Sequence, residues 1–184
     1  MKKFSICILV LIAIGGIFAL SKNNFFQNLP QTKHISFSNI KNGIYTIENE
    51  PVALINGKSE SEIAPGSASK LVTEYFGNEA VGDVNGDGIS DTALLLAQSG
   101  GGTGVFYYVV VALGGKNGYT STNTVFLGDR IAPQATEIDK GKIIVNYAER
   151  LPSEPFSAEP SVGVSKYFAV SGMELKKIKN PNSD

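Results

Sequence analysis

The 184-residue chain is 42% hydrophobic and carries 16 Lys plus Arg against 17 Asp plus Glu, for a net charge of −1. That length suits one domain around one main core, and the balanced charge argues against a nucleic-acid partner, which needs a strongly basic face. One cysteine and one histidine exclude a disulfide framework and a Cys/His zinc cluster, and leave any histidine-based triad hanging on His34.

Lys2 and Lys3 precede an uncharged apolar run from Phe4 to Leu20. A basic start before an apolar stretch has the form of an export signal, and this one also reaches the lower length limit of a spanning helix. Residues 1–21 are therefore read as a signal peptide or an N-terminal membrane anchor. Ala19 and Ser21 supply the small residues that signal peptidase needs. Both outcomes place the rest of the chain outside the cytoplasm: periplasmic, at the cell surface or secreted. The run is also the expected route to a membrane. Cys7 lies within it and reads as a small hydrophobe. Residues 22–41, rich in Asn, Gln, Ser and Thr, read as a tether, with His34 exposed and with Phe25, Phe26, Ile35 and Phe37 available to dock on the domain.

A single β-rich domain is expected over residues 42–178, followed by a disordered polar tail at 179–184. Gly43–Ile47 and Val52–Ile55 alternate as short strands, with a turn at Glu48–Pro51 and a tight-turn signal at Asn56-Gly57. Ser59–Gly66 reads as a polar connection. Ser67–Phe76 reads as a helix: Ser67 can cap it, Leu71, Val72, Tyr75 and Phe76 form an apolar stripe, and Gly77 ends it. Thr92–Gln98 and Val105–Leu113 are strands. In the second, Val105, Tyr107, Val109 and Val111 share one face, and Phe106, Tyr108, Val110 and Ala112 the other, so both faces should be covered. Asn123–Leu127, Lys142–Tyr147 and Lys166–Val170 are further strands. Asn117-Gly118 and Asp139–Lys142 mark turns. The fold class expected is α+β, mainly β: an antiparallel sheet with one packed helix.

The informative stretch is Gly82–Asp91, GDVNGDGISD. It sets Asp83, Asn85, Asp87 and Asp91 at loop positions one, three, five and nine, with the Ile89 carbonyl at seven. Calcium takes six to eight oxygens in a flexible shell, and alternate residues of a tight turn aim inward. Gly86 and Gly88 permit the turn. A calcium ion held by Asp83, Asn85, Asp87, Ile89 and Asp91 is thus the expected cofactor. Position twelve is Leu94 rather than the bidentate glutamate of a calcium sensor, so the site should be weak and structural, with a dissociation constant of about 10⁻⁴–10⁻³ M.

The run GDVNGDGISDTALLL resembles the D-x-N-x-D-G-x-x-D loop of FG-GAP and VCBS-type repeats, in which a calcium loop leads into a strand. One copy cannot close a propeller. With GGGTGVFYYVVVAL, FLGDRI and IIVNY added, the pattern resembles a group of uncharacterised exported bacterial proteins. The resemblance implies an envelope location and a compact β domain, and no activity.

Other signals have plainer readings. Ser67-Ala68-Ser69-Lys70 matches the S-x-x-K nucleophile motif, but so short a pattern recurs by chance. Gly100–Gly104 lies between two strands, whereas a phosphate cradle opens a helix. Asp129 and Arg130 suggest an ion pair with Glu149 or Arg150. Asp129 with Glu149 is also the carboxylate pair that a hydrolase would use. Phe106, Tyr107 and Tyr108 read as core rather than as a stacking platform. Leu151–Gly163, with Pro152, Pro155 and Pro160, is a surface loop and the expected contact surface. The reading that results is an exported, non-catalytic envelope or surface module, stabilised by calcium and binding an unknown protein or envelope ligand. The alternatives are a carboxylate-based envelope hydrolase and a structural envelope protein without metal.

Overall fold

A strand that is apolar on both faces has to be covered on both, and this requirement sets the architecture. A computed structural model describes residues 36–181; the Phe4–Leu20 run, Cys7 and His34 lie outside the described residues. Strands β5 (Asp91–Gly100) and β6 (Phe106–Gly115) pair antiparallel, with Thr92 opposite Ala112 and Gln98 opposite Phe106. Leu94, Leu95, Leu96, Val109, Val110 and Val111 are completely buried. Each contributes roughly 1.5–3 kcal/mol by leaving water.

One face of this pair is covered by a second sheet. Ala93, Leu95, Val109 and Val111 pack with Ile143, Val145, Tyr147, Phe168 and Leu175. The partners come from a four-stranded antiparallel sheet ordered β12-β11-β10-β9, built from β9 (Ala132–Asp139), β10 (Lys142–Glu149), β11 (Val162–Ser171) and β12 (Glu174–Ile178). The other face is covered by the hairpin β1 (Ile44–Ile47) and β2 (Glu50–Ala53), where Tyr45, Ile47 and Leu54, with Phe37, meet Leu94, Leu96, Tyr108, Val110 and Ala112. Phe37 docks as expected, with its backbone paired to Tyr119. The central sheet is completed by β3 (Lys58–Glu62), β4 (Lys70–Gly82), β7 (Gly118–Ser121) and β8 (Val125–Asp129), in the order β3-β4-β5-β6-β7, with β8 also on β6. Asn123 ties the two sheets: its side-chain oxygen accepts from the Leu175 N–H at 2.8 Å and its amide donates to the Leu175 carbonyl at 3.2 Å.

The packed helix expected over Ser67–Phe76 is absent, and the fold is corrected to all-β. Among the described residues the one helical piece is a three-residue 3₁₀ turn, Ile40–Asn42. Leu71/Tyr75 and Val72/Phe76 are each four apart. Four is close to a helical turn, but it is also even, so a strand keeps each pair on one face as well. β4 takes the second solution: Thr73 is buried and Tyr75 half-buried, while Glu74 and Phe76 point outward. Its β-branched and aromatic residues suit a pleated, half-buried surface, and β3 and β5 satisfy its backbone on both sides. Gly77 (φ 96°) and Asn78 (φ 54°) mark a bulge rather than a helix end. The Ser67 hydroxyl accepts from the Ser69 N–H in a loop turn, at 3.1 Å. Ser59–Gly66, expected as a connection, contributes most of β3, and the polar end of the chain is ordered as β12 up to Ile178.

The signal peptide or membrane anchor expected over residues 1–21 lies outside the described residues; among the described residues no helix is long and apolar enough to cross a membrane.

Candidate functional site

Both ends of the β5–β6 pair carry polar clusters. At one end the aspartate loop closes on its own backbone. The Asp83 carboxylate accepts from the N–H groups of Gly86 (2.7 Å) and Gly88 (2.9 Å), and more weakly from Asn85 (3.3 Å). Asn85 accepts from the Asp87 N–H at 2.9 Å, and Asp87 from the Ile89 N–H at 2.7 Å. The Asn85 amide donates to Asp87 at 3.1 Å. These are successive Asx turns, in which short side chains stand in for backbone acceptors. The N–H groups of Gly88 and Gly86 hold the Asp83 carboxyl below its usual range.

Asp91 behaves differently. It is fully buried, and its two oxygens accept from the Val84 N–H (2.9 Å) and the Gly114 N–H (2.8 Å). It thereby staples the loop to the start of β5 and the end of β6. Burial is the main cause pushing its carboxyl above the usual range, with the neighbouring Asp87 and Asp83 adding to it. Gly114 lets the loop approach: a Cβ there would stand 2.3 Å from the Ser90 carbonyl oxygen.

The expectation of a ready-made calcium-binding group at Asp83, Asn85, Asp87, Ile89 and Asp91 is corrected on one point. Among the described residues, no group of three or more His, Cys, Asp or Glu side chains could hold a metal ion. The spacing of Asp83, Asn85, Asp87 and Asp91 serves hydrogen bonding in this structure, and the Ile89 side chain is exposed. One sequence pattern supports both outcomes because Asx turns and metal loops need the same inward-facing oxygens.

Asp129 and Arg130 pair with each other, Oδ2 to Nη2 at 2.6 Å, rather than with Glu149 or Arg150. The Asp129 carboxylate also accepts from the Val105 N–H at 3.0 Å, pinning the start of β6 to the end of β8. Arg130 is the first cause holding this carboxyl below its usual range, which keeps it ionised and unsuited to donate a proton. Arg150 donates to the carbonyls of Arg130 and Ala158, and the Arg130 guanidinium lies 4.2 Å over the Phe156 ring. These contacts hold down the 151–163 loop, whose Phe156 stays largely exposed.

At the opposite end of β5–β6 is an open cleft of about 280 Å³, lined by Glu48, Gln98, Phe106, Tyr108 and Phe126. Gln98 and Phe106 face each other across the β5–β6 ladder, and Tyr108 and Phe126 across β6–β8. Tyr108 is 3% exposed, but Phe106 is 38% and Phe126 51% exposed. The Phe126 ring centroid lies 5.5 Å from that of Tyr108 and 6.3 Å from that of Phe106. Glu48 sits in the β1–β2 turn and accepts the Tyr108 hydroxyl at 3.0 Å. Burial, aided by Glu48, pushes the Tyr108 hydroxyl up to about 12, so it remains a donor at neutral pH. Gln98 donates to Thr73 at 3.0 Å. Read along the sequence, Phe106 and Tyr108 look like core. That holds for Tyr108, whereas Phe106 sits at the strand's open end. No local signal announces Glu48 or Phe126 as their neighbours, because tertiary pairing alone brings them there.

A larger cleft of about 500 Å³ runs between β11 and β12, lined in part by Lys166, Lys177 and Lys179. The Lys166 ammonium is engaged inward, donating to the Leu127 carbonyl at 2.9 Å and lying 5.1 Å over the Tyr147 ring. Burial is the main cause lowering its pKa.

Comparison of the chain with protein-family models, with curated proteins and with solved structures finds no match. The likeness to FG-GAP and VCBS loops therefore rests on residues 82–96 alone.

Proposed function

We propose that the chain is an exported, non-catalytic recognition module that receives a small ligand at the cleft between the β1–β2 turn and strands β5, β6 and β8. The observation that carries this reading is the exposure of Phe106 and Phe126 around a concave site with one carboxylate. Folding normally hides aromatic rings of this size, and an apolar concavity with a few fixed polar groups is the usual form of a ligand site. The polar groups there are suited to orientation rather than proton transfer: Tyr108 keeps its proton and donates a hydrogen bond to Glu48, and Gln98 is anchored on Thr73. Export is supported by Lys2, Lys3 and the Phe4–Leu20 run.

The test is an NMR screen of the full chain against small sugars, organic cations, organic anions and neutral apolar compounds. Saturable shifts confined to Gln98, Phe106, Tyr108 and Phe126 with at least one class are expected. Shifts only elsewhere, or none with any class, overturn the reading.

A further inference from the structure

We infer that the ligand of this cleft is a quaternary ammonium group; the inference rests on the recognition reading above. Three aromatic rings meet at the cleft, and the one charged group lining it is Glu48. Ring faces are electron-rich and attract a cation within about 6 Å of the centroid. An anionic ligand would meet both that negative quadrupole and a carboxylate. A neutral apolar ligand would use the rings but would gain nothing from Glu48.

The position of Glu48 is the second observation. Glu48 (φ 51°) and Asn49 (φ 72°) form the two-residue turn between Ile47 and Glu50, both in the left-handed region. Such turns select Asn-Gly or Asp-Gly, and a residue with a long side chain is disfavoured there. Strained positions of this kind cluster at functional sites. Here the turn brings a carboxylate into the lining of the cleft, where the Tyr108 hydroxyl donates to one of its oxygens.

Size and hydrogen bonding narrow the class. The cleft, about 280 Å³, falls just below the roughly 300–1,000 Å³ of sites for drug-sized molecules, so it suits a headgroup rather than a polymer. A primary ammonium needs three acceptors, and the cleft's acceptors are partly committed to Tyr108. A trimethylammonium group needs none and presents a diffuse charge to the ring faces. This chemistry occurs both in free small molecules and in a choline lipid headgroup.

The test is a titration of the full chain, followed by NMR at the cleft residues, with tetramethylammonium chloride and choline chloride against sodium chloride and 3,3-dimethylbutan-1-ol, the neutral carbon analogue of choline. Saturable binding of both cations is expected, with the neutral analogue at least about tenfold weaker, which corresponds to one electrostatic contact of about 1.4 kcal/mol. Phe126→Leu, which keeps apolar volume at a half-exposed position, should weaken the cations by roughly 10–30-fold, as expected for losing one desolvated ring face. Glu48→Gln should weaken them while sparing the neutral analogue. Vesicles of phosphatidylcholine against phosphatidylglycerol separate the sources: retention on the former that free choline displaces assigns a lipid headgroup, and its absence alongside free choline binding assigns a soluble ligand. Equal binding of the neutral analogue, or cation shifts unaffected by both variants, overturns the inference. A sugar or anion binding at the same residues while cations do not also overturns it and leaves the recognition reading standing. No binder at the cleft overturns both.

Discussion

The aspartate loop and the aromatic cleft occupy opposite ends of the same strand pair, about 24 Å apart by strand rise from Asp91 to Gln98. The loop is conspicuous in sequence and closed in structure: the carboxylates of Asp83, Asp87 and Asp91 all accept from backbone N–H groups. The cleft is inconspicuous in sequence and open in structure: its rings reach solvent and its carboxylate has one oxygen engaged by Tyr108. The contrast teaches that a dense local motif can engage its own backbone, while a cleft with exposed aromatic rings is assembled from residues with no common motif.

The contrast can be broken most sharply at Asp91. Asp91→Ala leaves the buried N–H of Val84 and the part-buried N–H of Gly114 without an acceptor. It should cost about 2–6 kcal/mol, at 1–3 for each orphaned donor, read by urea denaturation. Gly114→Ala should come next, at roughly 1–3 kcal/mol, because its Cβ would collide with the Ser90 carbonyl. Asp87→Ala removes an exposed carboxylate that accepts from the Ile89 N–H and the Asn85 amide, two donors that water can reach, and should cost about 1 kcal/mol or less. An Asp87→Ala loss equal to that of Asp91→Ala, together with a calcium-dependent rise in the wild-type melting temperature, would make the loop a metal site. At the cleft, Phe126→Leu should change stability by less than about 1.5 kcal/mol while weakening ligand binding, so that stability and recognition separate by region.

The smallest effect is in pH dependence. Asp83 and Asp129 have lowered pKa values; their stabilisation is present above the unfolded carboxylate value, about 3.9, and is lost as pH falls through the folded values. Asp91 is raised, so its favourable contribution is present below the unfolded value and fades as pH rises through the folded one. Asp91→Asn should therefore steepen the loss of stability on acidification, and Asp83→Asn should flatten it. Denaturation midpoints collected across the carboxylate range check both slopes.

Much of the central sheet was legible. The double alternation of Val105–Leu113 assigns Tyr107, Val109 and Val111 to one core and Tyr108, Val110 and Ala112 to the other, with Phe106 left out at the open end, and the turns at Asn56-Gly57, Asn117-Gly118 and Lys140-Gly141 fall where glycine accepts a positive φ. The error over Ser67–Phe76 has a definite cause: a four-residue repeat satisfies a helix and a strand alike, and the neighbouring β3 and β5 decide between them. The weakly patterned β7, β9 and β12 were invisible because each depends on a partner strand to complete its hydrogen bonds. The candidate site was legible in pieces, with Phe106 and Tyr108 read as core and Glu48 as a turn residue.

The sequence alone thus determined a β-rich chain with a doubly covered central strand and an Asx-rich turn, because alternation, glycine and short polar side chains act over a few residues. Tertiary structure decided that a second sheet rather than a helix covers the core. It decided that Asp91 turns inward as a staple, and that Glu48 from one hairpin meets Phe126 from a distant strand. Those outcomes depend on which backbones pair across long stretches of chain, and no local pattern encodes that.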